Sequence, residues 1–212
     1  MKTTIHIYYH LLRPDSPTTT VAALCPQLPD DVVARASRYK SNTAALQHLI
    51  GRLLLRDGLQ KINSPDTLAS LSYTDQGKPI LAHTQFNISH SGHIVLCAFS
   101  SHGAIGVDVE LPSSADPQHL KHSFTDKEWQ LIQQDSAKLY ELWTRKEGII
   151  KASDYKLQDL HKIDTSYFDE QVSLEGGTWY LRSLDFLRGQ GAYSAVCSEG
   201  EIGEVVVEEC FF

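Results

Sequence analysis

The sequence predicts an α+β fold made of two similar halves, each with antiparallel strands and a packed long helix. The first observation is an internal repeat, because IVLCAFSSHGAIGVDVE (94–110) resembles AYSAVCSEGEIGEVVVEE (192–209), with Cys97 and Cys197 100 residues apart. The second observation is that each half combines a helical pattern with short strands of alternating apolar and polar residues. Two similar halves leave a cleft between them, and we expect the active site there. We place the boundary so that residues 1–103 form the N-terminal half and residues 104–212 the C-terminal half.

The composition is that of an ordinary globular protein, with 212 residues, 42% hydrophobic and 21% charged. No apolar run is long enough to predict a membrane span, and MKTTIHIYYHLL lacks the features of a signal peptide. The net charge of −7 argues against a nucleic-acid binder. The four cysteines form no CxxC pair, and Cys97 and Cys197 lie in apolar runs typical of a core. We therefore expect a reduced, cytoplasmic protein without structural zinc.

The elements of the N-terminal half follow from their local patterns. Alternating apolar residues predict a first strand over 4–9. Pro29-Asp30-Asp31 is a helix-start signal, and the apolar spacing after it predicts an amphipathic helix that ends at Asp57-Gly58. Gly77 and its neighbours indicate a turn. Residues 94–100 and 104–110 are predicted to be two strands joined in a hairpin by a short turn.

The C-terminal half begins with helices and ends with strands. Thr125 and Glu128 have the spacing of a capping box, and a longer helix is predicted from Ala137 to Ala152. Glu175-Gly176-Gly177 marks a hairpin. The strands 192–198 and 204–209 are predicted to form a final pair.

Two acidic residues lie on an otherwise apolar strand. In AIGVDVE (104–110), isoleucine and valine alternate with Gly106, Asp108 and Glu110, so both carboxylates share one face, about 6–7 Å apart. Two such charges repel by roughly 2–3 kcal/mol at an effective dielectric constant near 20. A hard cation such as Mg²⁺ would offset that repulsion, and the glycine would let backbone or ligand come close. The alternative is an exposed strand edge on which both acids are simply hydrated.

The segment LWTRKEGIIKAS (142–153) provides further charged candidates. On a helix, Trp143, Glu147 and Lys151 follow one another along one side, whereas Lys146 lies on an adjacent stripe. The apolar neighbours indicate a helix packed into the core, where charged residues are seldom found without a task. We therefore expect Glu147 to be a metal ligand or general base, and Lys146 and Lys151 to hold phosphate. The alternative is an ordinary ion pair between Glu147 and Lys151, worth about 0.2–0.5 kcal/mol.

Three other features are candidates for binding an anion. FNISHSG (86–92) places hydroxyl groups beside His90, which either contacts phosphate or is a structural histidine in a turn. Lys78, next to Gly77, is either an anion contact or an exposed turn lysine. Residues 32–56 contain no acid but hold Arg35, Arg38, Lys40, Arg52 and Arg56. Such a patch indicates a local anion site, or else a solvated helix face.

The order of these segments resembles that of the 4′-phosphopantetheinyl transferases. FNISHSG is followed by GVDVE, then FTDKEW, then WTRKEGIIKA, and the combination is far more specific than any one element. The likeness is to the long, surfactin-synthetase-activating (Sfp) type rather than to the short carrier-protein synthases that assemble as trimers. It runs from about Asp31 to Ala152. It implies a pseudo-dimer of two similar α+β halves, with the active site in the cleft between them.

The resemblance also implies a role for each candidate residue. Asp108, Glu110 and Glu147 correspond to the acids that hold the metal ion, Mg²⁺ or alternatively Mn²⁺. Glu147, Lys151 and His90 would be catalytic. The implied contacts with coenzyme A are Arg35, Gly77, Lys78, Asn87, Ser89, His90 and Lys151. One departure from the family pattern is Gln47, where some relatives carry an arginine.

The activity implied by the resemblance is transfer of the phosphopantetheine arm of coenzyme A to a serine of an apo acyl or peptidyl carrier protein. Adenosine 3′,5′-bisphosphate would be released. We expect coenzyme A as co-substrate, a carrier protein as partner, no nucleic-acid or membrane partner, and a monomer. Apolar contacts near Phe124 and Trp129 are a candidate docking surface for the carrier. The alternatives are another metal-dependent phosphoryl-transfer enzyme, such as a nucleotide pyrophosphatase, and a non-catalytic carrier-binding module.

Overall fold

A computed structural model describes residues 2–13, 19–114, 116–153, 155–166, 170–174 and 177–212. The α-helices in these ranges are α1 (Val21–Leu24), α2 (Asp30–Ala36), α3 (Asn42–Lys61), α4 (Asp126–Gln134) and α5 (Ala137–Ala152). The strands are β1 (Thr3–Leu11), β2 (Ser72–Tyr73), β3 (Pro79–Ile80), β4 (Gln85–Ser91), β5 (Ile94–Ser100), β6 (Ile105–Glu110), β7 (Gln171–Leu174), β8 (Gly177–Leu184), β9 (Tyr193–Ser198) and β10 (Ile202–Glu209). Short 3₁₀ segments occupy Cys25–Gln27, Leu68–Ser70, Pro117–Ser123, Leu157–Lys162 and Arg188–Gln190. No helix in the described ranges combines the length and apolarity needed to cross a bilayer.

Two four-stranded sheets form the framework of the molecule. The first sheet has the order β10-β1-β5-β4, and the second has the order β6-β9-β8-β7. Neighbouring strands in both sheets are antiparallel, except that β1 and β10 run parallel. The strands on either side of the predicted hairpin at 175–177 do pair, although Glu175 and Gly176 lie outside the described residues. The predicted α+β fold with two similar halves is confirmed.

The two hairpins predicted from the internal repeat are wrong. β5 belongs to the first sheet and β6 to the second, whereas β9 belongs to the second and β10 to the first. Each connection therefore carries the chain from one sheet to the other. Alternating apolar residues place a strand on a core face but do not identify its hydrogen-bonding partner, which explains the error. The boundary between residues 103 and 104 stays a prediction.

β5 instead forms its hairpin with β4, across the turn at Gly92, whose φ is 53°. The alternative of a structural histidine in a turn does not hold for His90, because Gln85–Ser91 forms strand β4. Small polar residues therefore line a strand that borders the second sheet.

Three of the buried apolar clusters form stacked layers of core, and a fourth lies between α4 and α5. On the outer face of the first sheet, α3 packs against residues that include Tyr8, Cys97 and Phe99. Between the two sheets, a second cluster joins Ile5, Ile7, Ile94, Leu96, Ala98, Ile105, Val107, Val109 and Val196. On the outer face of the second sheet, Ile149 of α5 packs with Cys197 and Leu181. The order is helix, sheet, sheet, helix, and Cys97 and Cys197 are both fully buried, as predicted.

Helix α3 is longer than predicted, since it continues through Asp57-Gly58 and ends at Lys61. A Cβ atom at Gly58 would lie 2.3 Å from Cε2 of Phe99 and 2.9 Å from Cδ2 of Tyr8. Gly58 is therefore needed because two aromatic rings approach the helix backbone, and it does not end the helix.

The capping box of α4 is confirmed, and Glu128 has a second contact that the sequence did not reveal. Its carboxylate accepts a hydrogen bond from Nζ of Lys146 at 2.7 Å, and both side chains are completely buried. Lys146 also donates to the carbonyl oxygens of Leu160 and Ile163, at 2.7 and 2.6 Å. The prediction that Lys146 holds phosphate is therefore wrong, because this side of α5 faces α4 and the core.

The predicted docking surface near Phe124 and Trp129 is wrong for a similar reason. These rings are only 6% and 7% exposed and pack with Ile132, Leu139 and Leu142. Apolar residues that recur three or four positions apart on a helix predict a face buried in the core more readily than a docking surface.

Candidate active site

The two sheets meet along their edge strands, β4 and β6, through side chains instead of a backbone ladder. On β4, Asn87, Ser89 and Ser91 occupy alternate positions, so they all face β6. Their side-chain oxygens accept hydrogen bonds at 3.0, 3.3 and 3.1 Å from the backbone N–H groups of Val107, Val109 and Leu111, respectively. These contacts satisfy donors that an edge strand would otherwise leave unpaired. We call this row of side-chain contacts between β4 and β6 the seam. In the sequence, its signal was the polar residue at every second position, Asn87, Ser89 and Ser91, and sequence reasoning missed it.

The same two serines also orient the acids of β6. Ser89 Oγ donates to Oδ1 of Asp108 at 2.9 Å, and Ser91 Oγ donates to Oε2 of Glu110 at 3.0 Å. Both carboxylates share one face of β6, as predicted, and this face points away from the core between the sheets. Asp108 is 2% exposed, so the alternative of a hydrated strand edge does not hold for this residue.

Helix α5 rests directly on β6, and glycine makes the contact possible. A Cβ atom at Gly106 would lie 2.1 Å from the carbonyl oxygen of Gly148 and 2.6 Å from the backbone nitrogen of Ala152. The expected close approach at Gly106 is therefore made by the backbone of α5. This contact brings Glu147 and Lys151 over the two acids of β6.

Lys151 contacts the acids directly. Its Nζ donates to Oδ1 of Asp108 at 2.6 Å and to Oγ of Ser89 at 2.9 Å. The second carboxylate oxygen of Asp108, Oδ2, is buried and has no hydrogen-bond partner among the described residues. A buried, unpaired carboxylate oxygen requires an explanation, and an additional cation would provide one.

The surroundings of Glu110 and Glu147 also disfavour a negative charge on these side chains. Burial raises the pKa of both carboxyl groups, and repulsion from Asp108 raises each pKa further, against the opposing effect of Lys151. Trp143, one turn before Glu147, hydrogen-bonds to Glu110 and lowers that pKa in part. Trp143 is thus a site residue whose role was missed, although its position on the same side of α5 was recognised.

The donor set therefore fits a hard divalent cation, because it consists of carboxylate oxygens with too little positive charge around them. Within the part of the chain that the structure describes, no three His, Cys, Asp or Glu side chains are already placed to hold an ion. Lys151 contacts Asp108 in this arrangement, so a metal ion would share or displace that contact.

A pocket of about 180 Å³ reaches this site through His90, whose ring is close enough to Lys151 and Asp108 for their charges to affect its pKa. Its lining residues are Arg35, Tyr39, Gln47, His48, Gly51, Arg52, Gly77, Pro79, Ile88 and His90. Three of the predicted coenzyme contacts, Arg35, Gly77 and His90, thus come together from α2, a turn and β4. The guanidinium of Arg35 stacks over the ring of Tyr73 at 5.0 Å, and Gly77 has a φ of 81°, in the left-handed region.

The other predicted coenzyme contacts, Lys78, Asn87, Ser89 and Lys151, do not line this pocket. Lys78 donates to the carbonyl oxygen of Lys151 at 2.6 Å, near the end of α5. Asn87 uses its side-chain oxygen in the seam, and Ser89 contacts both Asp108 and Lys151. Desolvation of the His90 ring and the nearby charge of Lys151 lower the pKa of that histidine.

Two family models match this chain. Residues 104–198 match the model of the 4′-phosphopantetheinyl transferase superfamily, and residues 14–102 match that described as 4′-phosphopantetheinyl transferase, N-terminal. The chain is 30% identical over 150 residues to the 4′-phosphopantetheinyl transferase AcpT of Salmonella typhimurium, covering 66% of this chain and 73% of that protein.

Two other relatives are matched over a shorter part of their length. The 4′-phosphopantetheinyl transferase gsp of Aneurinibacillus migulanus is 35% identical over 122 residues, which are 54% of this chain and 51% of that protein. The 4′-phosphopantetheinyl transferase Sfp of Bacillus subtilis is 32% identical over 126 residues, 55% of this chain and 56% of that protein. The chain therefore spans only about half the length of these two relatives. The matches to both halves and to AcpT nevertheless show that the chain belongs to the 4′-phosphopantetheinyl transferase family.

Proposed function

We propose that this chain transfers the 4′-phosphopantetheine group of coenzyme A to a serine of an apo acyl or peptidyl carrier protein, releasing adenosine 3′,5′-bisphosphate. Family membership supports this reaction. The structural observation that supports it most is the meeting of Asp108, Glu110, Glu147 and Lys151 where α5 contacts β6. Three acids and one lysine beside a basic pocket suit a reaction at a pyrophosphate.

Asp108, Glu110 and Glu147 would hold a Mg²⁺ ion, with Mn²⁺ as the alternative. The unpaired Oδ2 of Asp108 and the raised pKa values of Glu110 and Glu147 support this assignment. When bound, such an ion neutralises charge on the pyrophosphate and helps to orient it.

Glu147 is the proposed general base that accepts the proton of the carrier serine. Its pKa is raised by burial, which brings this carboxylate closer to the range in which a base works well near neutral pH. Lys151 would stabilise negative charge on the departing phosphate, since its ammonium group lies at the acids and reaches Ser89. His90, which lines the pocket, would help Lys151 to stabilise that charge.

The coenzyme would lie in the pocket lined by Arg35, Gly77 and His90, with its pyrophosphate toward Lys78 and Lys151. Ser89 would contribute by holding Asp108 and Lys151 in place, and Asn87 by fixing β6 against β4. One chain supplies both sides of this site, which supports a monomer. The four free thiols are in keeping with a reduced, cytoplasmic setting.

The test is to incubate the protein with coenzyme A, Mg²⁺ and a panel of apo carrier proteins, and to measure intact masses. We expect a mass gain of one phosphopantetheine group on at least one carrier. Asp185→Asn, at a largely exposed acid, is the control for Asp108→Asn, which changes an acid of the site. Cleavage of coenzyme A without any carrier would instead indicate a pyrophosphatase, and no gain on any carrier would reject the proposal.

A further inference from the structure

The hydroxyl group of Ser91, at the end of β4, makes two hydrogen bonds across the seam. Its oxygen accepts the backbone N–H of Leu111 at 3.1 Å, and its proton is donated to Oε2 of Glu110 at 3.0 Å. A hydroxyl group has only one hydrogen to donate, and here the carboxylate receives it. Ser91 therefore ties the side chain of Glu110 to the backbone that follows β6.

The two acids of β6 are held in different ways. Asp108 accepts hydrogen bonds from Ser89 and from the charged Lys151. Glu110 accepts hydrogen bonds from Ser91 and Trp143, which are both neutral donors. Neutral donors orient a carboxylate without cancelling its charge, and the carboxylates that bind metal ions in proteins are usually held in this way by hydrogen bonds.

The turn next to Ser91 is braced from two sides. On one side, Nε2 of Gln47 on α3 donates to the carbonyl oxygen of Gly92 at 2.8 Å, and Gln47 is buried. On the other side, the turn lies against Leu111, because a Cβ atom at Gly92 would be 2.5 Å from Cδ1 of that leucine. Ser91 is thus fixed between α3 and the end of β6, and it can hold Glu110 firmly.

We propose that Ser91 is a positioning residue for the metal site, because its hydroxyl group holds Glu110 ready to bind the cation. The inference rests on the proposed function, in which Asp108, Glu110 and Glu147 hold Mg²⁺. A glutamate side chain rotates about several bonds, and the loss of this freedom opposes metal binding. A carboxylate that is already oriented avoids that cost. Loss of a residue that orients a metal ligand typically weakens metal binding by about 10- to 100-fold.

The test measures Mn²⁺ binding to the protein saturated with coenzyme A, by electron paramagnetic resonance of the free ion. Ser91→Val and Ser91→Thr are compared, because valine and threonine have nearly the same shape and only threonine keeps the hydroxyl group. We expect Ser91→Val to bind Mn²⁺ about 10-fold more weakly, at the lower end of the range because Trp143 still contacts Glu110. Ser91→Thr should bind Mn²⁺ almost as tightly as the unmodified protein.

Ser101→Val is the matched control at the opposite end of β5. The hydroxyl oxygen of Ser101 also accepts a backbone N–H, that of Thr4 at 3.0 Å, and its side-chain partner is Thr3. We expect this variant to lose some stability but to keep its affinity for Mn²⁺. A second readout is the Mg²⁺ dependence of carrier modification. Ser91→Val should need about 10-fold more Mg²⁺ for half-maximal transfer, with a near-normal rate at saturating Mg²⁺.

The possible results separate this role from the proposed reaction. Unchanged Mn²⁺ affinity in Ser91→Val would overturn the role of Ser91 and leave the transfer reaction intact. Equal weakening in Ser91→Val and Ser91→Thr would also overturn it, because the hydroxyl group would then not be the cause. So would a lower transfer rate with an unchanged Mg²⁺ requirement. Absence of Mn²⁺ binding by the unmodified protein would reject the metal assignment and the role of Ser91 together.

Discussion

Replacing Lys146 by methionine tests whether this lysine stabilises the fold instead of binding substrate. Its three ammonium hydrogens are all used, by Glu128 and by the carbonyl oxygens of Leu160 and Ile163, at distances of 2.6 to 2.7 Å. The side chain is completely buried, and burial lowers its pKa although Glu128 opposes the effect. Methionine fills similar space but leaves Glu128 without its counter-ion.

Removing one partner of a buried ion pair costs about 3–5 kcal/mol. Glu128 would keep its hydrogen bonds from Thr125 and Thr165, so we expect a loss near the lower end, about 3 kcal/mol. For a chain of this size, such a loss corresponds to a melting temperature lower by about 6–12 °C.

The assay is urea unfolding followed by circular dichroism, combined with coenzyme A binding by the protein that remains folded. Lys151→Met is the matched control on the same helix, because its ammonium group is partly exposed and lies at the acids. We expect Lys146→Met to lose stability but keep binding, and Lys151→Met to lose transfer with a smaller loss of stability. The reasoning would be refuted if Lys146→Met unfolded at the same urea concentration as the unmodified protein, or if folded Lys146→Met no longer bound coenzyme A.

Three more results are expected. Asp108→Asn should abolish carrier modification, measured by intact mass at increasing Mg²⁺, without unfolding the protein; activity that Mg²⁺ still stimulates would contradict the metal assignment. Gly106→Ala should force α5 away from β6 and lower both stability and activity, because the added carbon would lie 2.1 Å from the oxygen of Gly148. Gly189→Ala is its control, since no other described part of the chain lies within 4 Å of the added carbon, and equal effects of the two changes would argue against a tight contact at β6. The pKa of His48 is lowered from 6.5 to about 4 in the folded chain, so the unfolded chain takes up this proton first as the pH falls. Stability should therefore decline between about pH 6.5 and 4, less steeply in His48→Gln, and identical urea-unfolding profiles of both proteins across this range would exclude the effect.

The parts of the fold that depend on neighbouring residues could be predicted from sequence. Helix α5 and the capping box of α4 have the predicted positions, because helical periodicity and capping act within a few residues. The shared face of Asp108 and Glu110 follows from the two-residue period of a strand. The family resemblance, drawn from four short segments, is confirmed by the matches to both halves.

The parts that depend on distant residues could not be predicted. β5 and β6 look like a hairpin, yet their partners are β1, β4 and β9, and nothing local to a strand specifies such partners. Lys146 and Lys151 lie on the same helix among apolar neighbours, and only the position of Glu128 shows which lysine is internal. In the sequence, Gly58 looks like a helix stop signal. Its real role is hidden there, because the rings of Tyr8 and Phe99 that require a glycine come from other elements.

The two crossovers have a consequence for how the chain folds as it is made. β1 pairs with β10, so Thr3 lies opposite Ile202, and the first sheet is completed only by the last strand of the chain. A nascent chain that has left the ribosome as far as β6 would present β1 as an open edge, able to pair with another chain. Such distant pairings also slow folding, because a long loop must close before they form. We therefore expect the two halves to fold as one cooperative unit after synthesis. A chain cut between residues 103 and 104 would give an N-terminal fragment whose sheet lacks β10 and a C-terminal fragment whose β10 lacks its partner β1.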